Sequence, residues 1–544
     1  MPTLNRHKKN DRMNIEKIVI QNFKTLDKFE IKLNKELNII VGDNEAGKST
    51  LLEAINLVLT GQLNGRNINY EISPFLFSKV VVDDYLVKLK AKQNPELPSI
   101  LIEAYFYNKP EFARLKGSNN TKNEDTFGVY LKIEFNEDFK DVYSNYISDP
   151  AKITTLPTEY YVARLYSFAN NHITPRNIEL TSTLIDTTTI KLQNGADYYL
   201  QRIIEESLDV KERTGLSLAF RNLKESFKEQ EALKAINDKL KANKGDITNK
   251  DLSVSIDISQ KSSWENNLTS YIDEIPFQFS GKGEQNIIKM LLALDKNVTK
   301  SDVILIEEPE NHLSFSTMNS LIKKMAEKCK DKQIIITTHS TFVLNKLGLD
   351  NLILWGEDKQ TMSLRDLKPD TQDYFKKLAG YDTLRLVLSK KSILVEGPSD
   401  ELIVQKAYHI AKGKLPIEDG IDTISVKGLS FKRFLEIAKL LKKQVSVVTD
   451  NDGNYKKKIE DKYVDYIGIP NIKICYDKND ILNTLEPQIA ECNDLATLNK
   501  IFNSNIQDKQ EMIEYMIDNK TECALSIFNT QELFEAPLYV KQSF

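Results

Sequence analysis

Two carboxylates, Asp450 and Asp452, follow an apolar run in the segment VVTDNDGN. An earlier apolar run, residues 392–395, ends at Glu396, and Asp400 comes four residues later. If both runs are parallel strands of one sheet, their carboxyl ends open on the same edge. Carboxylates that converge there repel one another unless a divalent cation lies between them, so the pattern predicts a metal site. The segment DNDG taken alone is also typical of a turn.

A glycine-rich segment near the N-terminus fits the phosphate-binding pattern G-x-x-x-x-G-K-[ST]. It stands between an apolar strand and an amphipathic helix. The backbone amides of such a loop and the positive end of the helix close around phosphate oxygens. In this pattern Lys48 reaches the β- and γ-phosphates and the Ser49 hydroxyl ligates Mg²⁺. The segment therefore predicts an ATP site formed by Gly42, Asn44, Gly47, Lys48, Ser49 and Thr50.

Two further segments contain groups that ATP hydrolysis requires. In SDVILIEEPENHL an apolar strand ends at Glu307 and Glu308, and in QIIITTHS another strand ends at His339. We predict that Glu307 holds the hydration shell of Mg²⁺ and that Glu308 is the catalytic residue that orients the attacking water. His339 is predicted to contact the γ-phosphate.

The segment FSGKGEQ places Ser280, Gly281 and Gly283 in a turn that opens a helix. Its hydroxyl and amides suit the γ-phosphate of a nucleotide bound by another protomer, although the segment alone is also typical of a helix cap. Together the motifs resemble the ABC-type ATPase head of the SMC and recombination-repair group. That group usually has Asp where this chain has Glu307, but its smaller ATPases also contain the EEPENHL form. The resemblance implies a homodimer or a higher homo-oligomer.

The hydrophobic pattern predicts an α/β protein in four parts. Strands and helices alternate over residues 13–183 and 251–388, which we interpret as the two parts of one ABC-type P-loop ATPase domain. Residues 184–250 have helical spacing and predict a dimerisation insertion or, alternatively, a solvated helical appendage. Residues 389–544 predict a separate α/β domain.

Composition places few limits on function. The net charge of -4 is only weak evidence against nucleic-acid binding, because local basic surfaces can exist within a nearly neutral total. The four cysteines show neither a disulfide framework nor a zinc spacing, and no apolar run is long enough to cross a membrane. We therefore expect a cytoplasmic protein without membrane contact.

The carboxylates on two strands, Glu-Gly followed by Asp-x-Asp, resemble the Toprim fold of topoisomerases, primases and certain nucleases. An ABC-type ATPase followed by a Toprim domain resembles, over nearly the whole chain, the overcoming-lysogenization-defect (OLD) family of nucleases. The resemblance implies a site that binds two metal ions, Mg²⁺ or Mn²⁺, and cuts DNA, with RNA left open as a substrate. Members of that family occur alone, with a helicase-like partner as in the Gabija system, or beside retrons, mostly in defence against phage.

The family resemblance also extends to individual residues of this chain. Its first motif fits Glu396, as a catalytic residue and metal ligand, and Asp400; its middle motif fits Asp450 and Asp452. A later acidic ligand resembles Glu486 in NTLEP, and a lysine that neutralises transition-state charge resembles Lys520 in DNKTECAL.

The resulting prediction is an ATP-hydrolysing, metal-dependent DNA endonuclease of bacterial anti-phage defence. Two alternatives are an ATP-switched assembly scaffold that recruits a partner effector and a recombination or repair ATPase. A topoisomerase would need a tyrosine nucleophile, which no motif marks among the 22 tyrosines. The carboxylates favour the nuclease, because a scaffold has no reason to concentrate unpaired acids at strand ends.

Overall fold

The computed structural model describes most of the residues of the chain. They are residues 14–42, 46–93, 95–107, 110–186, 192–193, 196–197, 208–242, 252–256, 264, 269–294, 301–328, 332–340, 351–356, 360–363, 366–377, 381–426 and 431–544.

Two sheets form the N-terminal two thirds of the protein. Their strands are β1 (Ile15–Phe23), β2 (Leu26–Lys32), β3 (Leu37–Gly42), β6 (Ile100–Phe106), β7 (Lys116–Gly117), β8 (Thr126–Phe135), β9 (Tyr161–Ser167), β10 (Ser182–Asp186), β15 (Val303–Glu307), β16 (Gln333–Thr337), β17 (Leu352–Trp355) and β18 (Thr361–Ser363). The first sheet is antiparallel and has the order β2-β1-β6-β8-β7, with β9 also paired to β8. The second sheet has the order β10-β15-β16-β3-β17-β18 and is parallel except for β18.

The strands at the centre of the second sheet are almost entirely apolar. Every residue of β3 and β16 is buried, as are the first four of β15. Such runs are typical of parallel strands that are covered on both faces. Because these strands point the same way, Gly42, Glu307 and Thr337 all lie at one edge of the sheet.

A separate four-stranded parallel sheet lies near the C-terminus, in the order β20-β19-β21-β22. Its strands are β19 (Lys391–Val395), β20 (Ile421–Ser425), β21 (Gln444–Val448) and β22 (Ile472–Cys475). The central pair, β19 and β21, ends directly before Glu396 and Thr449. The remaining short hairpins are β4 (Gln62–Leu63) with β5 (Arg66–Asn67), β11 (Leu192–Gln193) with β12 (Ala196–Asp197), and β13 (Tyr271–Ile272) with β14 (Ile275–Pro276).

Helices cover the parallel sheets and connect their strands. The helix Lys48–Thr60 follows β3 and ends at Gly61, whose positive φ of 66° lets its N–H close on Leu57 O. The described α-helices are Lys48–Thr60, Lys79–Lys90, Lys140–Tyr146, Val210–Lys228, Glu231–Ala242, Lys282–Leu294, Phe315–Lys328, Pro369–Lys377, Tyr381–Leu388, Pro398–Lys412, Phe431–Leu441, Leu485–Cys492, Leu495–Phe502, Lys509–Asp518, Lys520–Asn529 and Leu538–Lys541.

The segment predicted as a helical insertion, residues 184–250, begins within a strand. Residues 184–186 belong to β10, which pairs with β15 in register Leu184↔Leu305. The helical spacing is realised further on, in Val210–Lys228 and Glu231–Ala242, which are almost entirely exposed. Sequence patterning placed the boundary too early, because the short run STLID fits the edge of the parallel sheet. The dimerisation role of these helices stays a prediction.

One hydrophobic cluster spans the second sheet and the C-terminal sheet. It includes Ile39 and Ile336 of the former and Leu394 and Val447 of the latter. Polar contacts reinforce the junction, since Arg385 donates two hydrogen bonds to Asp422, at 2.9 and 2.7 Å. The two sheets are distinct, yet they share one core, which we call the joint core. No described helix is long and apolar enough to span a bilayer.

Candidate active sites

Gly42, at the end of β3, and Gly47, directly before the helix Lys48–Thr60, both stand where a side chain would be crowded. Gly47 has φ of 106°, and a Cβ atom there would lie 2.9 Å from Leu26 Cδ2. At Gly42 a Cβ atom would lie 2.8 Å from Trp355 Cβ. The predicted residue Asn44 lies outside the described residues. Glycine at these two positions therefore lets the chain pass close to Trp355 and to Leu26.

Lys48 and Thr50 are both buried at the first turn of this helix. Lys48 Nζ donates to Gly42 O at 3.0 Å, so the ammonium lies at the carboxyl end of β3. The Thr50 hydroxyl lies 3.5 Å from that of Thr25. A buried cation beside backbone amides at a helix start suits an anionic ligand such as a triphosphate.

Ser49, in the first turn of the helix Lys48–Thr60, meets Glu307 at the end of β15. The Ser49 hydroxyl donates to Glu307 Oε1. Burial raises the pKa of Glu307, and the nearby carboxylates Asp186, Glu308 and Glu53 raise it further, while the Ser49 hydrogen bond lowers it. Clustered acids of this kind favour a divalent cation, and a hydroxyl and a carboxylate are oxygen donors that Mg²⁺ accepts.

Glu308 lies next to the predicted histidine. Its Oε1 is 3.2 Å from His339 Nε2, and its Oε2 accepts from Asn311 Nδ2 at 3.0 Å. Its backbone has φ of 42°, an uncommon conformation for a residue other than glycine and one that occurs at functional sites. The sequence prediction did not include Asn311, although it lies in the same EEPENHL segment.

Glu310 fixes the backbone of the strand end that carries His339. Its Oε1 accepts from Thr338 Oγ1 at 2.6 Å, from His339 N at 3.0 Å and from Ser340 N at 3.1 Å. Burial raises the pKa of Glu310, although these hydrogen bonds oppose the rise. Sequence reasoning missed this positioning residue, whose only signal is its place two residues after Glu308.

The turn of Ser280, Gly281 and Gly283 is held against the loop that follows β15. A Cβ atom at Gly283 would lie 2.3 Å from His312 O, so glycine allows this close approach. Ser280 Oγ donates to Phe277 O at 2.8 Å, and Gly281 is exposed with open space around it. The backbone of the turn at Gly281 is therefore accessible to a ligand, whereas a buried helix cap would not be.

At the C-terminal sheet, the two strand ends are joined directly. Glu396 Oε1 accepts from Thr449 Oγ1 at 2.6 Å and from Asp450 N at 3.2 Å. Asp400, at the start of the helix Pro398–Lys412, accepts from Gly397 N at 3.0 Å. Three of the predicted ligands thus lie at the carboxyl edge of β19 and β21.

The electrostatics show that these acids face one another. Burial raises the pKa of Asp450 to about 8, and the charges of Asp400, Glu396 and Glu486 add to it. Burial likewise raises the pKa of Asp400 to about 7, again with Glu396 and Glu486 adding to it. Glu486, predicted from a loose motif match, therefore belongs to the same group of carboxylates.

Lys520 also reaches this group. Its Nζ lies 3.0 Å from Glu486 Oε1, and Glu486 is buried. Burial opposes the charge of Lys520, but Glu486, Asp450 and Asp400 together raise its pKa. Glu486 and Lys520 begin the helices Leu485–Cys492 and Lys520–Asn529, which brings these distant segments to one place.

Tyr539 also lies beside these carboxylates, although the sequence analysis did not identify it. It is buried, and its hydroxyl lies 3.5 Å from Asp450 Oδ1. Burial, and then the charges of Asp450 and its neighbours, raise the pKa of Tyr539 well above its ordinary value. The contact joins residues 89 apart in the chain, and no local pattern marks it.

Asp452 differs from the other predicted ligands. Its side chain is 58% exposed and lies 3.5 Å from Lys458 Nζ, and its backbone has φ of 48°. It is not among the carboxylates that raise the pKa values of Asp400 and Asp450 most. In this conformation the side chain of Asp452 faces solvent, at the rim of the group.

The group fits a divalent cation in its chemistry. All of its donors are carboxylate oxygens, which Mg²⁺ and Mn²⁺ prefer, and Glu486 Oε2 is buried without a hydrogen-bond partner among the described residues. As they stand, however, no three acidic, histidine or cysteine side chains in the described part of the chain are close enough to hold a metal ion. Binding would therefore require these side chains to rotate inward around the ion.

Two protein-family models match the chain. The model of the AAA ATPase domain matches residues 13–344, and the model described as "Overcoming lysogenization defect protein-like, TOPRIM domain" matches residues 387–452. These matches confirm the predicted order of an ATPase followed by a Toprim domain and the predicted α/β class.

Several characterised proteins are similar to parts of the chain. Endonuclease GajA of Bacillus cereus (strain VD045) is 24% identical over 474 residues, which cover 82% of this chain and 76% of that protein. DNA replication and repair protein RecF of Halothermothrix orenii is 36% identical over 80 residues, which cover 15% of this chain and 21% of that protein. An SMC head bound to the C-terminal winged-helix domain of ScpA matches with a TM-score of 0.35 and 17% identity, covering 65% of this chain and 99% of that one.

Proposed function

Because the chain belongs to the AAA ATPase domain family, we propose that it is an ATPase whose C-terminal Toprim domain cuts nucleic acid. The proposed nuclease activity is supported mainly by the grouping of Glu396, Asp400, Asp450 and Glu486 at one edge of the C-terminal sheet. Four carboxylates so close together repel one another, and a bound cation would relieve that repulsion. The similarity to endonuclease GajA supports the same reaction.

In the ATPase half, we assign tasks to five of the predicted residues. Lys48 would neutralise phosphate charge, while Ser49 and Glu307 would hold Mg²⁺ with the nucleotide. Glu308 orients the attacking water, and the neighbouring His339 is placed to contact the γ-phosphate. Asn311 holds the side chain of Glu308, and Glu310 holds the backbone of His339.

In the Toprim half, Glu396, Asp400, Asp450 and Glu486 would hold divalent cations, with Asp452 joining them from the rim. Bound Mg²⁺ or Mn²⁺ would supply a more acidic water and a stabilised leaving oxygen. Lys520 brings a positive charge to the same edge, where it can stabilise the extra negative charge of a phosphodiester under attack.

We further propose that the substrate is DNA and that two copies of the chain engage for ATP hydrolysis. The accessible turn of Ser280 and Gly281 supports engagement, because it can face the phosphate of another protomer. A role in anti-phage defence, together with a helicase-like or retron-type partner, follows from the resemblance to the OLD family.

The test is incubation of the purified protein with supercoiled plasmid and Mg²⁺ or Mn²⁺, followed by electrophoresis. We expect nicked or linear plasmid with the wild type and none with EDTA. Asp450→Ala and Asp452→Ala should each remove cleavage, because losing a ligand leaves the cation under-coordinated.

ATP turnover by the same preparations is the matched control. It should stay near the wild-type rate in both Asp variants, since the altered residues lie in the other sheet. A wild type that hydrolyses ATP but never cuts plasmid or linear DNA would favour the assembly scaffold or the repair ATPase instead. Cleavage at the wild-type rate by Asp450→Ala would remove the carboxylate site from the mechanism.

A further inference from the structure

We propose that a lysine-rich surface beside the C-terminal carboxylates binds the phosphodiester backbone of DNA and leads it to them. The surface, which we call the lysine strip, consists of Lys456, Lys457, Lys458 and Lys478. The proposal rests on the proposed nuclease function, because it identifies the surface that would hold the substrate of that site.

The lysine strip is adjacent to the carboxylates in space as well as in sequence. The segment Lys456–Glu460 forms a turn of π-helix directly after the loop that carries Asp450 and Asp452. Lys458 Nζ lies 3.5 Å from Asp452 Oδ2, so this end of the strip touches the rim of the carboxylate group. A strand bound along the lysines would therefore pass the proposed metal ligands.

A second loop, residues 477–483, is fixed against the first and adds Lys478. Asn451 Nδ2 donates to Asp477 O at 3.0 Å and to Asn479 O at 2.9 Å, and Asp452 N donates to Asn483 O at 3.1 Å. These bonds hold both loops in one arrangement, so the lysines form a fixed surface rather than two independent tails.

Aromatic rings support the middle of the strip. Lys478 Nζ lies 6.0 Å from the centre of the Tyr455 ring, and Tyr455 stacks on Tyr476 with ring centres 6.2 Å apart. Tyr476 in turn donates to Glu460 Oε1 at 2.9 Å. The nearby carboxylate of Glu460 is therefore already engaged by a phenol.

The charges of the strip are available to a ligand. Lys456, Lys457 and Lys478 are exposed, and within the described part of the chain none of them forms an ion pair. Asp480 accepts from Tyr455 N at 2.9 Å, so this neighbouring acid is engaged by backbone.

Two exposed lysines elsewhere in the same domain form ion pairs instead. Lys509 pairs with Glu491, and Lys541 pairs with Glu535. Unpaired lysines concentrated beside an acidic metal site would weaken the field that repels a polyanion from that site. Several ammonium groups in a row can together neutralise the phosphate groups along a nucleic-acid strand.

The test measures binding of a fluorescent DNA duplex at several salt concentrations in EDTA, where no cutting occurs. The variant is Lys456→Gln/Lys457→Gln/Lys478→Gln, which leaves Lys458 and its contact with Asp452 in place. The affinity should fall about tenfold or more at low salt, and the dependence of log affinity on log salt should flatten by about 1 for each lysine that contacts a phosphate. ATP turnover should be unchanged.

The matched control removes three exposed lysines from the opposite edge of the same sheet, in Lys412→Gln/Lys439→Gln/Lys442→Gln. Lys412 ends the helix that begins beside Asp400, and Lys439 and Lys442 precede the start of β21. The control should bind DNA with the wild-type salt dependence. An equal loss in both triple variants, or an unchanged salt dependence in the strip variant, would overturn the proposal.

A third variant distinguishes a loss of DNA binding from a loss of cleavage. Asp450→Asn should keep its affinity for DNA and lose cleavage, whereas the strip variant should lose affinity and cut in proportion to the DNA it binds. If the wild type never cuts but its DNA binding still depends on the lysine strip, the proposed nuclease fails and the binding surface stands. If the strip variant binds normally and still fails to cut, the binding surface is refuted.

Discussion

Replacing Asp450 with Asn is expected to stabilise the metal-free protein, by an amount that grows as the pH rises from about 4 to about 8. Burial and the neighbouring carboxylates raise the pKa of Asp450 from 3.8 to about 8. When the pKa of a carboxyl is higher in the folded state than in the unfolded state, the protein has its full stability below the unfolded pKa. It loses that stability as the pH rises from the unfolded pKa through the folded pKa. The wild type should therefore lose stability between about pH 4 and pH 8.

The size of the effect follows from these pKa values. One pH unit corresponds to about 1.4 kcal/mol, so keeping a proton on Asp450 at pH 7 costs about 4 kcal/mol if this group titrates alone. Asp400, whose pKa rises to about 7, shares the same charges. Because the two titrate together, we expect removal of one to recover about half of that cost, or about 2 kcal/mol. This corresponds to a rise in melting temperature of about 2 °C if the chain unfolds as one unit and about 6 °C if the C-terminal domain unfolds alone.

The assay is thermal unfolding of both proteins in EDTA across this pH range. Asp450→Asn should melt with the wild type near pH 4 and above it at pH 8, and added Mn²⁺ should stabilise the variant less than the wild type. Asp452→Asn is the control, because it removes an exposed carboxylate outside the buried group, and it should melt at the wild-type temperature in EDTA. A variant that melts below the wild type at pH 8, or that keeps the wild-type pH dependence, would refute the reasoning.

Three further predictions concern residues of the two sites. Lys48→Ala should abolish nucleotide binding measured by calorimetry, whereas Glu308→Gln should bind ATP without releasing phosphate; unchanged turnover in Glu308→Gln would redirect attention to Glu307. Glu310→Gln turns one acceptor of three hydrogen bonds into a weaker one, so phosphate release should fall about tenfold while ATP affinity stays the same; a loss of affinity instead would assign the residue to nucleotide binding. Tyr539→Phe should retain most plasmid cleavage, and the wild type should leave no protein attached to the DNA ends, because a buried phenol with a raised pKa is a poor nucleophile; complete loss of cleavage in Tyr539→Phe would revive the topoisomerase alternative.

Much of the fold was predictable because its signals are local. The apolar runs of β3, β15, β16, β19 and β21 and the polar residues that follow them are read directly from consecutive positions. Once strands are parallel, geometry alone brings their carboxyl ends to one edge. The α/β class and the order of ATPase and Toprim domains were confirmed for this reason.

The contacts that complete the sites depend on the folded chain. Tyr539 reaches Asp450 across 89 residues, and the role of Glu310 is visible only when the end of β16 lies beside it. The outward direction of Asp452 depends on its left-handed backbone, which a two-residue spacing of carboxylates does not specify. The functional roles of the individual residues stay predictions.

The joint core has a consequence for how this protein can be divided. A cut after Leu388 would separate Ile39 and Ile336 from Leu394 and Val447, and each fragment would expose apolar surface that the other now covers. We therefore expect that neither half can be transplanted as an independent module without added surface redesign. Exchanging the Toprim domain between relatives should succeed only when the matching face of the ATPase sheet is exchanged with it.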